Sequence, residues 1–171
     1  PRAHAEGAKS IASSDGSHAE GKSTTASGSC SHAEGSRTTA SAGSSHAEGS
    51  STTASGSCSH AEGNSTEAKG LCSHTGGYCT IANDWQTVVG VYNVEKSSTN
   101  NIGLGSRFIV GGGSDSSARK NVFRVECSGA CYGAGAWNSS GADYAELFEW
   151  MDGNLKKEDR VGRFVTLDGK Y

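Results

Sequence analysis

Residues 17–30, 31–44 and 45–58 read SHAEGKSTTASGSC, SHAEGSRTTASAGS and SHAEGSSTTASGSC, which are three nearly identical units of fourteen residues. The same period extends to both sides of these units. All six histidines of the chain follow it, at His4, His18, His32, His46, His60 and His74. A fixed period of this kind indicates structural units that stack on one another.

The first five residues of each unit alternate small and polar side chains, which is typical of a β-strand with one buried face. Ser17, Ala19 and Gly21 lie on the small face, and His18 and Glu20 lie on the opposite one. A helical heptad is excluded because the recurring residues include no large apolar side chain.

The second half of each unit repeats this alternation, with Thr24, Ala26 and Gly28 on the small face. We therefore predict that each seven residues form a five-residue strand and a two-residue corner, and that two strands make one coil. Coils should stack at about 4.8 Å through parallel hydrogen-bond ladders, around a thin interior filled with alanine.

Composition excludes several other architectures. The only large apolar or aromatic side chains among residues 1–80 are Ile11, Leu71 and Tyr78. This segment cannot form a helix bundle, a doubly wound α/β sheet or a sandwich, since each needs a core of large side chains. The net charge of -3 disfavours nucleic-acid binding. No apolar stretch is long enough to insert into a membrane.

The fourteen-residue units resemble the head repeats of trimeric autotransporter adhesins over roughly residues 3–84. This resemblance implies an all-β fold, a left-handed parallel β-roll that assembles as a homotrimer. Buried alanine contributes little stability, so packing between rolls is also expected on physical grounds. Bacterial adhesins and phage tail proteins share such repeats.

Residues 138–154, NSSGADYAELFEWMDGN, resemble the start of the autoproteolytic intramolecular chaperone domain of phage tailspikes and neck appendages. The resemblance extends through EDRVGRFVTLDGK at residues 158–170 and implies a mixed chaperone domain that drives trimerisation and then removes itself. We predict three domains: the β-roll at 1–84, a small β cap or transition domain at 85–137 with strands near 107–110 and 122–125, and a truncated chaperone at 138–171.

Asp143 and Glu146 are candidate catalytic residues. Three residues apart, they can act on one peptide bond, with one carboxylate activating a nucleophile and the other donating a proton. The resemblance implies a scissile bond near Ala142 and Asp143 and makes Glu146 the principal catalytic group of a single-turnover, glutamic-peptidase-like cleavage. The alternative is a solvated helix start, because acidic side chains at this spacing also suit a helix N-terminus.

The histidines form a second constellation. Stacked coils place them in one column beside a column of glutamates, and this set offers nitrogen and oxygen ligands for a transition metal. The metal candidates are His18, His32, His46 and His60. A purely structural ladder is the favoured interpretation, and no cofactor is predicted.

Three cysteines, Cys30, Cys58 and Cys72, occupy the same corner of the repeat. We predict that they are small buried side chains. A disulfide between Cys58 and Cys72, which are one coil apart, and metal ligation are the alternatives.

These features predict a structural and host-adsorption protein of a phage or prophage tail fibre, spike or appendage. It would be a homotrimer of the virion tail, assembled in the host cytoplasm, and its partner would be a cell-surface glycan or teichoic acid of a Gram-positive host. The alternative is the head of a trimeric bacterial surface adhesin, extracellular and without proteolytic activity.

Overall fold

A computed structural model describes residues 2–96 and 105–135, and within these ranges the protein contains strands and no helix. The strands are β1 (His4–Ala8), β2 (Ile11–Ala12), β3 (His18–Lys22), β4 (Thr25–Ala26), β5 (His32–Ser36), β6 (Thr39–Ala40), β7 (His46–Ala47), β8 (Thr53–Ala54), β9 (His60–Ala61), β10 (Glu67–Ala68), β11 (His74–Thr75), β12 (Ile81–Ala82), β13 (Thr87–Val91), β14 (Ser106–Gly112), β15 (Asn121–Glu126) and β16 (Cys131–Gly133). Over the same ranges, no helix has the length and apolar character needed to cross a bilayer.

Successive strands alternate between two parallel sheets. Sheet A begins with the odd-numbered strands from β1 to β11. Sheet B contains the six even-numbered strands from β2 to β12. Each coil of fourteen residues contributes one strand to each sheet, so the repeats build a parallel β-solenoid of about six coils. The predicted all-β fold of stacked parallel coils is confirmed; its homotrimeric state stays a prediction.

The register between coils follows the sequence period. His18 pairs with His32 and Ala19 with Ala33, so each residue lies beside its own counterpart in the next coil. The backbone nitrogen of His18 donates to the carbonyl oxygen of Ser31 at 2.9 Å, and the same bond recurs from coil to coil. Identical side chains therefore form straight columns along the solenoid.

Small side chains fill the space between the two sheets. The buried alanines have no exposed surface and form one cluster: Ala19, Ala26, Ala33, Ala40, Ala47, Ala54, Ala61 and Ala68. Serine and threonine flank them, and the hydroxyl of buried Ser31 donates to the carbonyl oxygen of Gly28 at 2.7 Å. Buried hydroxyl groups are tolerated where the turn itself supplies an acceptor.

The two halves of a coil are not equivalent, and the prediction of a five-residue strand in each half is wrong for all of sheet B and also for β7, β9 and β11 of sheet A, which contain two residues each. The strands of sheet B contain two residues, because the chain turns again at once. Cys30, near the end of this turn, has a φ of 55°, and the nitrogen of Ser31 donates back to Gly28 at 3.2 Å. Gly21 was expected on the buried face but is exposed and bends its strand at a φ of 111°.

Sheet A continues beyond the repeats. Strand β13 pairs in parallel with β11, and β14 pairs in parallel with β13, so that Gly90 lies beside Gly111. Strands β15 and β16 then add in antiparallel orientation. The strands predicted at 107–110 and 122–125 are confirmed as β14 and β15.

The side chain of Asn93 caps the last strand of sheet B, β12. The amide oxygen of fully buried Asn93 accepts a hydrogen bond from the nitrogen of Ile81 at 2.7 Å, and its amide nitrogen donates to the oxygen of Ile81 at 3.0 Å. Asn93 thereby offers the last strand, β12, the donor and acceptor that another strand would supply. This arrangement protects the strand edge within the fold.

Candidate functional site

The outer side of sheet A carries two parallel columns of side chains, which we call the His–Glu face. Its members are the six histidines His4, His18, His32, His46, His60 and His74 and the five glutamates Glu6, Glu20, Glu34, Glu48 and Glu62. They point outward because they alternate with the buried serines and alanines of the same strands. The solenoid thus concentrates every histidine of the chain on one surface.

The imidazole rings stack face to face. Ring centroids of His18 and His32 lie 4.8 Å apart with an angle of 3° between the planes, and those of His46 and His60 lie 4.7 Å apart at 4°. These separations match the spacing of neighbouring strands. The histidine column is therefore a direct consequence of the in-register coils.

The glutamates line a shallow groove of about 580 Å³ beside the histidines. Glycines follow the glutamates in sequence and also line the groove, among them Gly21, Gly35 and Gly49. At Gly35 an added Cβ would lie 2.2 Å from the carbonyl oxygen of Gly49, so no larger residue fits the present backbone. Each of these glycines therefore packs directly against its counterpart in the next coil.

Contacts between histidine and glutamate cross from coil to coil. The Nε2 atom of His60 lies 3.5 Å from a carboxylate oxygen of Glu48, and that of His74 lies 3.4 Å from Glu62. In both pairs the glutamate belongs to the preceding coil. Nearer the N-terminus the contact is within one coil, since Nε2 of His18 lies 3.9 Å from a carboxylate oxygen of Glu20.

The Nε2 atoms are covered but not hydrogen-bonded. Those of five histidines are shielded from solvent and have no hydrogen-bond partner among the described residues: His18, His32, His46, His60 and His74. Buried polar atoms of this kind normally have a partner, so the column is an unusual feature of the fold.

Burial also affects proton binding in the middle of the column. Desolvation lowers the pKa of His46 below its ordinary value of 6.5, and the neighbouring charges of His60 and His32 lower it further. The carboxylates of Glu48 and Glu34 oppose this shift only in part. The His46 ring is thus mainly neutral near pH 7, the form in which imidazole binds metals.

Two sets of three side chains bring their ligand atoms within 4.8 Å of one another: His46, Glu48 and His60, and separately Glu20, His32 and Glu34. All four predicted metal candidates lie in the histidine column, and His32, His46 and His60 belong to these sets. The sequence pattern identified the histidines, whereas the contribution of each glutamate to the next coil follows from the strand register. We find here the donor atoms for a divalent ion.

The predicted catalytic residues Asp143 and Glu146, and the bond near Ala142, lie outside the described residues. Their assignment therefore stays a prediction.

The predicted burial of the corner cysteines is wrong. Cys30, Cys58 and Cys72 are exposed free thiols, and each adopts a left-handed backbone conformation with φ between 50° and 55°. At this corner the side chain points away from the alanine interior. Cys58 and Cys72 form no disulfide in this structure.

Sequence reasoning also missed Asn93. Its position shows no distinctive motif, and its role depends on a strand edge that exists only after the coils have stacked.

Comparison with known proteins finds no matching family model, no matching curated protein and no matching solved structure.

Proposed function

We propose that the chain is a structural segment of a phage or prophage tail fibre, spike or appendage that takes part in adsorption to a host surface. The observation that carries this proposal is the solenoid itself, with a regular polar face on one side and only small side chains inside. Such a stack is an extended scaffold that displays the same surface groups repeatedly.

Association into a homotrimer is part of the proposal. The buried side chains of the repeats are alanine, serine and threonine beside buried glycines, and burying one methyl-sized group contributes only about 0.8 kcal/mol. Five Nε2 atoms of the His–Glu face have no hydrogen-bond partner among the described residues, and a neighbouring chain would supply partners at an interface. Both observations support assembly, and symmetric closure is the usual outcome for identical chains.

Self-removal of a C-terminal chaperone is the second part of the proposal, and it rests on the resemblance of residues 138–154. Light scattering should give the mass of a trimer, and intact mass should show a new N-terminus near Asp143. Glu146→Ala should leave the chain whole, whereas the control Glu149→Ala should be cut like the wild type.

A trimer that is never cut would favour the alternative, an adhesin head without proteolytic activity. A monomer in solution would contradict both assignments.

Adsorption is tested separately by sedimentation with Gram-positive cell walls, before and after removal of teichoic acid. Loss of binding on removal would identify the polymer, and no binding to either preparation would contradict a role in adsorption to such hosts.

A further inference from the structure

We propose that the His–Glu face binds a divalent transition-metal ion, with Zn²⁺ as the simplest probe, through His46, Glu48 and His60. This inference concerns a single solenoid and does not depend on the assembly or the biological role proposed above. It starts from the ligand atoms of these three residues, which lie within 4.8 Å of one another.

The first step is the separation between His60 and Glu48. The Nε2 atom and the carboxylate oxygen lie 3.5 Å apart. A hydrogen bond between such atoms is usually about 2.9 Å long, so this pair is poorly placed for one. Two ligands of a tetrahedral zinc ion, bound at about 2.0–2.1 Å, lie about 3.3 Å apart, which is close to the observed distance.

The second step concerns the neighbouring ring. The rings of His46 and His60 are nearly parallel, at an angle of 4°, with their centroids 4.7 Å apart. Two nitrogen atoms that share a tetrahedral zinc ion lie about 3.3 Å apart, so the two rings must tilt toward each other to bind one ion. Both side chains are half-exposed, which leaves room for this rotation.

The third step is the state of the nitrogen atoms. Nε2 of His46 and of His60 is shielded from solvent and has no hydrogen-bond partner in the described part of the chain. A metal ion would occupy both lone pairs and would offset the cost of burying them. Two imidazoles and a carboxylate are also a ligand set that zinc commonly takes, with a fourth position left for water.

The second set, Glu20, His32 and Glu34, provides one nitrogen and two carboxylate oxygens. This composition suits zinc less well, because carboxylates favour harder ions. The set with two histidines is therefore the one that we expect to fill first.

The experiment is a calorimetric titration of the chelator-treated full chain with Zn²⁺, with elemental analysis after gel filtration. We expect at least one zinc ion per chain. Glu48→Gln keeps the size of the side chain but removes the charged ligand, and should weaken the tightest site at least tenfold. Glu67→Gln is the matched control, because Glu67 lies on sheet B and pairs with Lys69 at 3.4 Å.

A spectroscopic measurement gives a second readout that does not depend on calorimetry. Co²⁺ bound in a tetrahedral site absorbs strongly in the visible range, and we expect this band in the wild type and in Glu67→Gln but not in Glu48→Gln. The proposal is overturned if 1 mM Zn²⁺ leaves no bound metal, or if Glu48→Gln binds as tightly as Glu67→Gln. Equal binding would mean that other ligands hold the ion, either the stacked imidazoles without Glu48 or the exposed thiols of the corner cysteines.

Discussion

At the scale of single residues, glycine determines how closely two coils can approach. Gly35 has a φ of 102°, and an added Cβ would lie 2.2 Å from the carbonyl oxygen of Gly49. Both the backbone conformation and the available space thus exclude other residues. Gly43 differs, because the nearest atom to its added Cβ is 3.9 Å away.

We therefore expect Gly35→Ala to lower the free energy of unfolding by about 2 kcal/mol or more, through backbone strain and the clash with Gly49. Gly43→Ala is the matched control and should change stability by less than about 1 kcal/mol, in either direction. Chemical denaturation followed by circular dichroism measures both. Equal effects of the two substitutions would contradict this account of the glycine column.

At the scale of the strands, one side chain satisfies the hydrogen-bonding groups of Ile81 in β12, the last strand of sheet B. Asn93 exchanges two hydrogen bonds with Ile81 and has no exposed surface. Asn121 makes a similar pair of bonds, accepting from the nitrogen of Val94 at 2.8 Å and donating to its oxygen at 3.1 Å. Asn121 is less buried, and Val94 is exposed.

Asn93→Ala should lower the free energy of unfolding by about 3 kcal/mol. The substitution leaves the backbone donor and acceptor of Ile81 in β12 without partners, in a place that water reaches poorly. Asn121→Ala should cost about 1 kcal/mol or less, since water can replace the lost amide. Thermal melting of both variants tests the difference, and hydrogen exchange at Ile81 should rise in the first alone. Unchanged protection of Ile81 in Asn93→Ala would argue against its role at the strand edge.

The histidine column predicts how stability depends on pH. Because the pKa of His46 is lowered by folding, the unfolded chain binds more protons just below pH 6.5, and the free energy of unfolding falls as the pH falls through this range. The melting temperature, measured with a chelator present, should be lower at pH 5 than at pH 7.5. His46→Gln should reduce the difference in melting temperature between pH 5 and pH 7.5. Equal melting temperatures of the wild type at these two pH values would contradict the predicted pH dependence.

The sequence was sufficient to predict the stacked coils and the columns, though not the lengths of the strands, for a physical reason. The spacing of His18 and His32 fixes which residues are neighbours once the coils stack, and the alternation around Ala19 fixes which side is buried. The corners could not be predicted in this way. Cys30 is an ordinary small residue by type, and only its left-handed φ of 55° turns its side chain outward. The reach of Glu48 and Glu62 into the next coil is likewise visible only in three dimensions.

At the scale of the whole molecule, the solenoid is built from interchangeable units. Counterparts such as His32 and His46 lie beside each other in register, and the interior contacts of one coil repeat those of the next. Stability should thus be close to a sum over coils and their interfaces.

Deletion of residues 32–45 removes one full period and should leave a folded β-solenoid with a modestly lower melting temperature. Deletion of residues 32–38 removes half a period and is the matched control. It would bring residues of sheet B beside those of sheet A, so we expect loss of the strand signal in circular dichroism. Equal tolerance of both deletions would show that the register does not hold the coils together.

The equivalence of the coils also has a genetic consequence. If the coding segments of units as alike as residues 17–30 and 45–58 are also alike, recombination between them would add or remove whole units. Each event would preserve the hydrogen-bond ladders, since neighbouring coils remain in register. The length of this scaffold would then change in steps of one coil, without any new side chain having to be selected.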